Sequence, residues 1–362
     1  MQKSVNYCLP YAVAIVPGLS FVVGGWGYSI FLAVYLGFPL LDFFIGKTFH
    51  NPTTNEEAAL SRQWRYAAIL WGYSVVQLSY LAAGSYLVCL RQNWFDTWFF
   101  AMNTGLLIGA ASITVAHELI HKTNRFERGL GGFMLALVCY GTFKIEHVRG
   151  HHVNVATPKD ASSARLGQSI YHFVPKAIVR NVLNGFRLEA KRLKRKELPI
   201  LHWHNEVLAW TSLSILVAIA CYILTGIHGL AFFLVSSFFA VLALEIVNYV
   251  EHYGLERRQL NSGRYERVSP LHSWNASEKL ANAGIYNLQR HSDHHAFPTR
   301  RYQILRHYDQ SPQLPTSYGG MIILALLPPL WRKIMDPLAK EHMEKLRQSE
   351  PDPVDFEYKS LS

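Results

Sequence analysis

Nine of the 17 histidines in this chain of 362 residues fall into four short groups. The groups are His117/His121, His147/His151/His152, His252 and His291/His294/His295. Residues three or four positions apart share one face of a helix, so pairs within these groups can direct two imidazoles to one point. The pairs with this spacing are His117/His121, His147/His151, His291/His294 and His291/His295. Because neutral imidazole binds iron, zinc, copper and nickel, the pattern predicts a metal site.

The first histidine group allows two interpretations. The segment HELIH (117–121) matches the H-E-x-x-H pattern of zinc proteases, in which Glu118 would act as the general base. An intramembrane protease of this kind would also use a distant aspartate, such as Asp42. A catalytic zinc, however, takes three protein ligands and keeps one position open. Nine histidines suit two metal ions with four or five ligands each, so the protease is a minor alternative.

Acidic residues beside the histidines are candidates for holding the ligand rings. A carboxylate that binds the second ring nitrogen fixes the tautomer and the orientation of a metal-bound imidazole. The acidic candidates are Glu118, Glu146, Glu251 and Asp293, each next to a candidate ligand, and Asp160, which follows the second group. Among the other histidines, His272 is the best candidate for this supporting role. Glu245 lies in an apolar segment, where a carboxylate is costly, so we expect it to face the site or a wet crevice.

The composition indicates that these groups are attached to membrane helices. Half of the residues are hydrophobic and only 17% are charged. A membrane helix needs about 20 apolar residues, and the first uncharged window, 4–41, is long enough for a hairpin that turns at Gly24–Gly27. The sequence predicts an all-α integral membrane protein with six spans, at about 5–24, 26–46, 66–90, 95–116, 207–226 and 229–250.

The distribution of basic residues predicts the orientation of these spans. With six spans, 34 of the 35 lysines and arginines lie on one face and only Arg91 lies on the other. Since lysine and arginine concentrate in cytoplasmic loops, this face should be cytoplasmic. All four histidine groups lie at or near it, which predicts a multi-pass inner-membrane protein with a cytoplasmic active site. The net charge of +10 then reflects orientation and anionic headgroups, and nucleic acid is not an expected partner.

The predicted domain organisation is simple. Residues 1–350 form one membrane-embedded domain, with cytoplasmic parts at 117–206 and 251–350, and residues 351–362 form a flexible tail. Apolar side chains on the first four spans offer a route from the bilayer to the metal. On the second span, Val34, Leu36 and Phe38 are candidates for limiting how deep a linear substrate enters. The four cysteines form no C-x-x-C pair, which argues against an iron centre of the rubredoxin type within this chain.

Four segments carry a resemblance to a known family. HELIHK (117–122), EHVRGHH (146–152), NYVEHYGL (248–255) and LQRHSDHHA (288–296) resemble the four motifs of the integral-membrane alkane hydroxylases, the alkane 1-monooxygenases. Shorter segments such as PLLD (39–42) and GRYE (263–266) extend the likeness. The resemblance implies a non-haem di-iron centre held by the nine histidines, without flavin or haem. It also implies terminal hydroxylation of alkanes to primary alcohols with O2, using electrons from rubredoxin and its NADH-dependent reductase.

Several alternatives remain open at this stage. A related di-iron hydroxylase or desaturase would act on aryl methyl groups, terpenes or fatty acyl chains. A metal transporter would place ionisable groups near the bilayer centre, where this chain has almost none. Two departures from the family pattern, Ile120 and Gln168, bear on substrate preference because neither replaces a candidate ligand. The electron donor has two candidate docking patches, Lys191 to Lys196 and the group Arg290, Arg300 and Arg301.

Overall fold

The computed structural model describes residues 4–349. Within this range the chain is helical, with isolated β-bridges and no strand. Its main helices are α1 (Ser4–Val23), α2 (Gly25–Ile45), α3 (Thr54–Ser61), α4 (Trp64–Arg91), α5 (Trp94–Ile120), α6 (Arg125–Ala136), α7 (Ile170–Arg195), α8 (Glu206–His252), α9 (Lys279–Gly284), α10 (His291–Ala296), α11 (Tyr318–Ala325) and α12 (Pro328–Gln348). Among the described residues, five helices are long and apolar enough to cross a membrane, namely α1, α2, α4, α5 and α8.

The predicted spans correspond closely to these long helices. The first four predicted spans fall on α1, α2, α4 and α5. The last two both fall within α8, which has 47 residues and leaves helical backbone geometry at Gly226 (φ 68°, ψ −162°). Helix α5 continues to Ile120 instead of ending near residue 116, so the first histidine group extends directly from a long helix. The predicted tail, 351–362, lies outside the described residues.

Three breaks in the long helices lie at the same end of the bundle. They occur at Gly24, Gln92 and Gly226, each with positive φ. The guanidinium of Arg91 lies 4.0 Å from the ring centre of Phe21, which joins the first break to the second. Contacts between the start of α5 and the third break include Thr97 Oγ1 at 2.9 Å from the ring of His228. The long helices are therefore arranged as hairpins whose turns share one end, and the histidine groups lie at the other.

Close packing of α5 against α8 holds the centre of the bundle. A Cβ added to Gly105 would lie 2.5 Å from the carbonyl oxygen of Ser236, and one added to Gly109 would lie 2.7 Å from Ala243 Cβ. The two glycines therefore allow the backbones to approach closely, as small residues four positions apart do in membrane helix pairs. This contact fixes α5 relative to α8, and these helices carry His117 and His252.

The end of the bundle that carries the histidines is covered by the remaining helices. Helix α7 lies beside α8, where Asn181 donates a hydrogen bond to Glu245. Helices α11 and α12 close the other side, with Trp331 fully buried among aromatic and aliphatic side chains. The short helix α9 is attached to α2, because Asp42 accepts hydrogen bonds from the backbone N–H groups of Leu280 and Ala281. These contacts bring the four histidine groups into one enclosed volume.

Candidate metal centre and substrate cavity

All nine histidines predicted as ligands come together in two adjacent groups. The first contains His117, His121, His147, His152 and His294, and the second contains His151, His252, His291 and His295. Within each group the ligand atoms lie within 4.8 Å of one another. Eight of the rings are buried and His152 is half-buried. Each group has the number of imidazoles that one transition-metal ion can bind.

The assignment of rings to the two groups differs from what the spacing predicted. His147 and His151, four positions apart, lie in different groups, whereas His147 and His152 share one. The cause is a π-helical turn over His147–His151, in which residues five positions apart align. His291 likewise shares its group with His295 and not with His294. The structure therefore places two of the four predicted pairs, His117/His121 and His291/His295, within one group each and separates the other two pairs.

Several of the ring nitrogens have no hydrogen-bond partner or face only one another, and a bound cation would satisfy them. The Nε2 atoms of His291 and His295 are 2.9 Å apart, and those of His147 and His152 are 3.1 Å apart. Other ring nitrogens are buried without any partner, including Nε2 of His121 and of His294. Buried polar atoms are normally satisfied, and leaving them unpaired is costly. Two metal ions would satisfy both sets of nitrogens, so the residues present fit a dinuclear centre.

The electrostatic environment keeps most of these rings neutral. Burial, reinforced by neighbouring imidazoles, lowers the pKa of His147, His152, His291, His294 and His295 well below the ordinary value. A neutral imidazole has a free lone pair, which is the form that binds metal. The centre is therefore ready to bind cations at neutral pH.

An apolar cavity of about 150 Å³ adjoins both histidine groups. It lies between α1, α2, α5, α8, α9 and α11, and His117, His291 and Glu251 form its polar end. Val34 and Phe38 line it, as the sequence predicted. Leu36 does not line it and is half exposed on the outer face of α2, so the expectation for this residue is wrong. The cavity has the shape and polarity needed to hold a hydrocarbon against the metal ligands.

Comparison with known proteins agrees with this geometry. The family model described as fatty acid desaturase matches residues 92–324. The chain is 48% identical over 320 residues to alkane 1-monooxygenase 2 of Pseudomonas aeruginosa, covering 88% of this chain and 85% of the relative. It is 44% identical over 327 residues to alkane 1-monooxygenase 2 of Alcanivorax borkumensis, with 88% and 84% covered.

The chain belongs to the alkane 1-monooxygenase family. This confirms the resemblance drawn from the four histidine motifs. The same relationship rules against the zinc protease interpretation of HELIH.

In this alkane 1-monooxygenase family member, Asp160 contacts the ring of His151, one of the candidate ligands. One of its carboxylate oxygens lies 2.9 Å from His151 Nδ1, which leaves Nε2 of that ring for the metal. The same carboxylate accepts a hydrogen bond from Ser163 Oγ at 2.6 Å. Although burial acts to raise the pKa of Asp160, the His151 ring and the Ser163 hydroxyl hold it below its ordinary value. Asp160 is thus a buried carboxylate that orients a ligand through its second nitrogen.

Glu251 lies closer to the inward-facing ring nitrogens of the second histidine group than the sequence predicted. Its Oε2 atom is 3.2 Å from His291 Nε2, the nitrogen that also faces His252 and His295. Its other oxygen, Oε1, is buried without a partner. Glu251 also lines the apolar cavity. The carboxylate therefore stands between the second histidine group and the space for substrate, and it does not act through an outer ring nitrogen.

Two other predicted carboxylates bond elsewhere. Glu118 forms a buried ion pair with Lys122 at 2.7 Å. Asp293 pairs with the guanidinium of Arg300 and accepts a hydrogen bond from the backbone N–H of Arg306 at 2.9 Å. Adjacent residues on a helix point in different directions, so a carboxylate next to a ligand in sequence need not reach that ligand's ring. These two side chains brace the loop after α10 and do not hold imidazoles, which corrects the expectation.

Glu146 and His272 also differ from their predicted roles. Glu146 keeps Oε2 buried without a partner, and burial, with Asp160 nearby, raises its pKa to about 8. The ring of His272 pairs with Glu266 at 3.1 Å, and only its backbone reaches the ring of His252. The sequence did not lead us to Glu266, whose carboxylate holds the ring of His272. The GRYE segment that contains it was the available signal.

Glu245 is satisfied by side chains from two distant segments. It is fully buried and accepts hydrogen bonds from Tyr140 at 2.6 Å and from Asn181 and Asn248 at 3.1 Å each. The sequence indicated that this carboxylate would face the site or a wet crevice. Its partners Tyr140 and Asn181 lie far from it in sequence and could not be identified from spacing.

Proposed function

We propose that the chain hydroxylates the terminal methyl group of alkanes, converting RH, O2, two electrons and two protons into a primary alcohol and water. The observation that carries this proposal is the position of nine imidazoles at the end of a cavity lined almost entirely by carbon. The proposed metal is iron, two ions per chain, which when bound supplies the oxygen-activating chemistry that side chains lack. The five-histidine and four-histidine groups would each hold one ion.

The protein's own residues supply orientation and dryness. Val34 and Phe38 belong to the wall along which a linear chain would lie, with its terminal carbon toward His117, His291 and Glu251. A site that excludes water strengthens electrostatic interactions within it and prevents side reactions. Asp160 keeps the His151 ring in the tautomer that presents Nε2 inward.

Specific observations argue against the alternative functions. A zinc protease needs Glu118 as a base toward water, but this carboxylate is buried in an ion pair with Lys122. A transporter would bind its cargo near the bilayer centre, whereas the histidines lie at one end of the long helices. Related hydroxylases and desaturases that act on aryl, terpene or acyl substrates share the histidine groups, and product analysis separates them.

We further propose six spans, with α8 forming two of them on either side of Gly226. A helix of 47 residues is about 70 Å long, more than twice the hydrocarbon thickness of a bilayer. The arrangement supports an inner-membrane protein with residues 117–206 and 251–350 in the cytoplasm, as parts of one domain over 1–350. The proposed tail, 351–362, is outside the described residues.

Electrons would come from rubredoxin and its NADH-dependent reductase. Of the two candidate docking patches, the group Arg290, Arg300 and Arg301 is occupied by internal contacts. Arg300 pairs with Asp293 and Arg301 pairs with Glu127, while Arg290 is buried. The run from Lys191 to Lys196 is mostly exposed and is the accessible one of the two.

The deciding experiment combines metal analysis with product analysis. Detergent-purified protein should contain about two irons per chain, and with rubredoxin, its reductase and NADH it should convert octane to 1-octanol. His295→Ala should lose iron and product, whereas His204→Ala, an exposed histidine outside both groups, should retain both. A single zinc per chain, or oxidation of p-xylene or an acyl chain in place of octane, would contradict the proposal.

A further inference from the structure

A second cavity lies on the opposite side of α9 from the substrate cavity. Its volume is about 730 Å³, and it is bounded by the start of α1, the end of α2, the following loop and α9. Leu280 and Ala283 of α9 face it, whereas Ala281 and Gly284 of the same helix face the substrate cavity. Helix α9 therefore separates two spaces that differ in polarity.

The floor of this second cavity contains a buried cation without a contacting anion. Arg290 is only 5% exposed. Its guanidinium donates to the carbonyl oxygens of Thr48, His50 and Leu305, and its Nε–H has no partner. Among residues 4–349, no carboxylate lies within ion-pair distance of it. A buried charge is stable when it is paired, so this position favours an anion.

A further polar atom faces the same cavity. Gln303 is 8% exposed and its Oε1 is buried without a partner. The cavity thus offers one unused N–H donor, one unused acceptor and a positive charge. The positive charge and the unused N–H donor suit the anionic oxygens of an oxygen acid.

Part of the cavity wall is apolar and continues to an exposed apolar residue at the rim. Leu9, Ala12, Leu280 and Ala283 line it, and Val5 at its rim is 65% exposed. The rim lies where α2 ends and the polar loop begins at Lys47, which is the height of the lipid headgroups if the long helices span the bilayer. An occupant would place its charge at Arg290 and its hydrocarbon along these side chains.

We infer that the cavity binds an anionic amphiphile, with an oxygen acid at Arg290 and an acyl chain running along α1 and α2 into the bilayer. The oxygen acid is the phosphate of an anionic phospholipid or the carboxylate of a fatty acid. This inference does not depend on the proposed hydroxylation, since it concerns a cavity on the other side of α9.

The test measures lipid binding instead of turnover. Native mass spectrometry and thermal unfolding in detergent compare dioleoylphosphatidylglycerol, dioleoylphosphatidylcholine, oleate and inorganic phosphate as probes. Wild-type protein should bind and be stabilised by phosphatidylglycerol or oleate, and not by phosphatidylcholine or inorganic phosphate. A preference for phosphatidylglycerol identifies phosphate as the bound group, and a preference for oleate identifies carboxylate.

Substitutions test whether the lipid binds in this cavity. Arg290→Gln should weaken binding of the preferred lipid by roughly tenfold or more. Its matched control is Arg62→Gln, which changes an exposed arginine nearby. Ala283→Trp fills the cavity without removing the charge, and Ala59→Trp on the exposed face of α3 is its control. Because Arg290→Gln removes hydrogen bonds to three carbonyls, Ala283→Trp decides the matter if that variant fails to fold. Equal binding by wild type and Ala283→Trp, or equal binding of phosphatidylglycerol and phosphatidylcholine, would overturn the inference.

Discussion

At the scale of single residues, function depends on which nitrogen of each imidazole faces the centre. The bond between Asp160 and His151 Nδ1 settles this for one ring. The π-helical turn at His147–His151 settles the direction of two more, because it aligns His147 with His152 and turns His151 to the other group. Spacing identified the nine candidate ligands but could not sort them, because a π turn is a local backbone choice that H-x3-H spacing does not reveal.

The first prediction concerns Asp160. Asp160→Asn should weaken metal binding by roughly 10–100-fold, because the carboxylate that orients His151 is lost. Titration of the metal-free protein with Fe(II) under anaerobic conditions measures the affinity directly. The control is Glu341→Gln on the exposed face of α12. Unchanged affinity in Asp160→Asn would mean that packing alone orients the ring.

At the scale of elements, helices α2, α5 and α8 position the site, and each does so through a different contact. Helix α5 approaches α8 at Gly105 and Gly109, α8 carries Glu251 and His252, and α2 supplies the cavity wall. The G-x-x-x-G pattern at 105–109 was visible in an apolar segment and could have predicted the close contact. The partner of that pattern could not be predicted, since Ser236 and Ala243 carry no comparable signal.

The second prediction uses matched glycine substitutions. Gly105→Ala should destabilise the protein by about 1–3 kcal/mol, because the new Cβ would lie 2.5 Å from the carbonyl oxygen of Ser236. Gly37→Ala places its Cβ in open space and should leave stability unchanged or slightly higher. Thermal unfolding in one detergent compares the two. Equal melting temperatures would show that α5 and α8 can separate without cost.

The third prediction tests the depth of the substrate cavity. Val34→Trp should lower kcat/KM for the longest accepted alkanes by roughly 10–200-fold while sparing shorter ones, since the indole would occupy the cavity. Leu36→Trp, two positions away on the outer face of α2, should leave the profile unchanged. Product profiles over a series of chain lengths provide the measurement. A shift in Leu36→Trp alone would place the substrate outside this cavity.

The fourth prediction concerns pH and the segment 257–272. Burial acts to raise the pKa of Glu266, but His272 and Arg258 lower it from the ordinary value of 4.5 to about 2. The stabilisation is therefore complete above pH 4.5 and is lost as the pH falls from 4.5 toward 2, amounting to roughly 3 kcal/mol. Glu266→Gln should flatten this part of the stability profile, measured by thermal unfolding between pH 6 and 3. A parallel decline in both proteins would assign the acid sensitivity to other groups.

At the scale of the whole molecule, much of the architecture could be predicted from sequence. The uncharged windows predicted the positions of the long helices. The distribution of basic residues predicted that the histidines lie at one end of the bundle. The expectations that were wrong concern the directions of side chains. Glu118 and Asp293 adjoin candidate ligands in sequence but point away from them, and Leu36 faces outward. Tyr140 and Asn181 could not be predicted as partners of Glu245, because that contact exists only once α7 lies beside α8.

The fifth prediction tests orientation. In a background without native cysteines, Gln92→Cys should react with a membrane-impermeant maleimide added to whole cells, because the turn between α4 and α5 faces outward in the proposed topology. Lys196→Cys, beyond the end of α7, should react only after the membrane is permeabilised. The reverse pattern would place the histidine end outside the cytoplasm.

In the proposed topology, the breaks at Gly24, Gln92 and Gly226 have a consequence for the outward face of the inner membrane. Each joins its helices within a very few residues, so almost no chain projects beyond the lipid on that side. A protease or an antibody approaching from outside would find no loop long enough to enter an active cleft or form an epitope. Spheroplasts treated with protease should therefore retain the chain at full length.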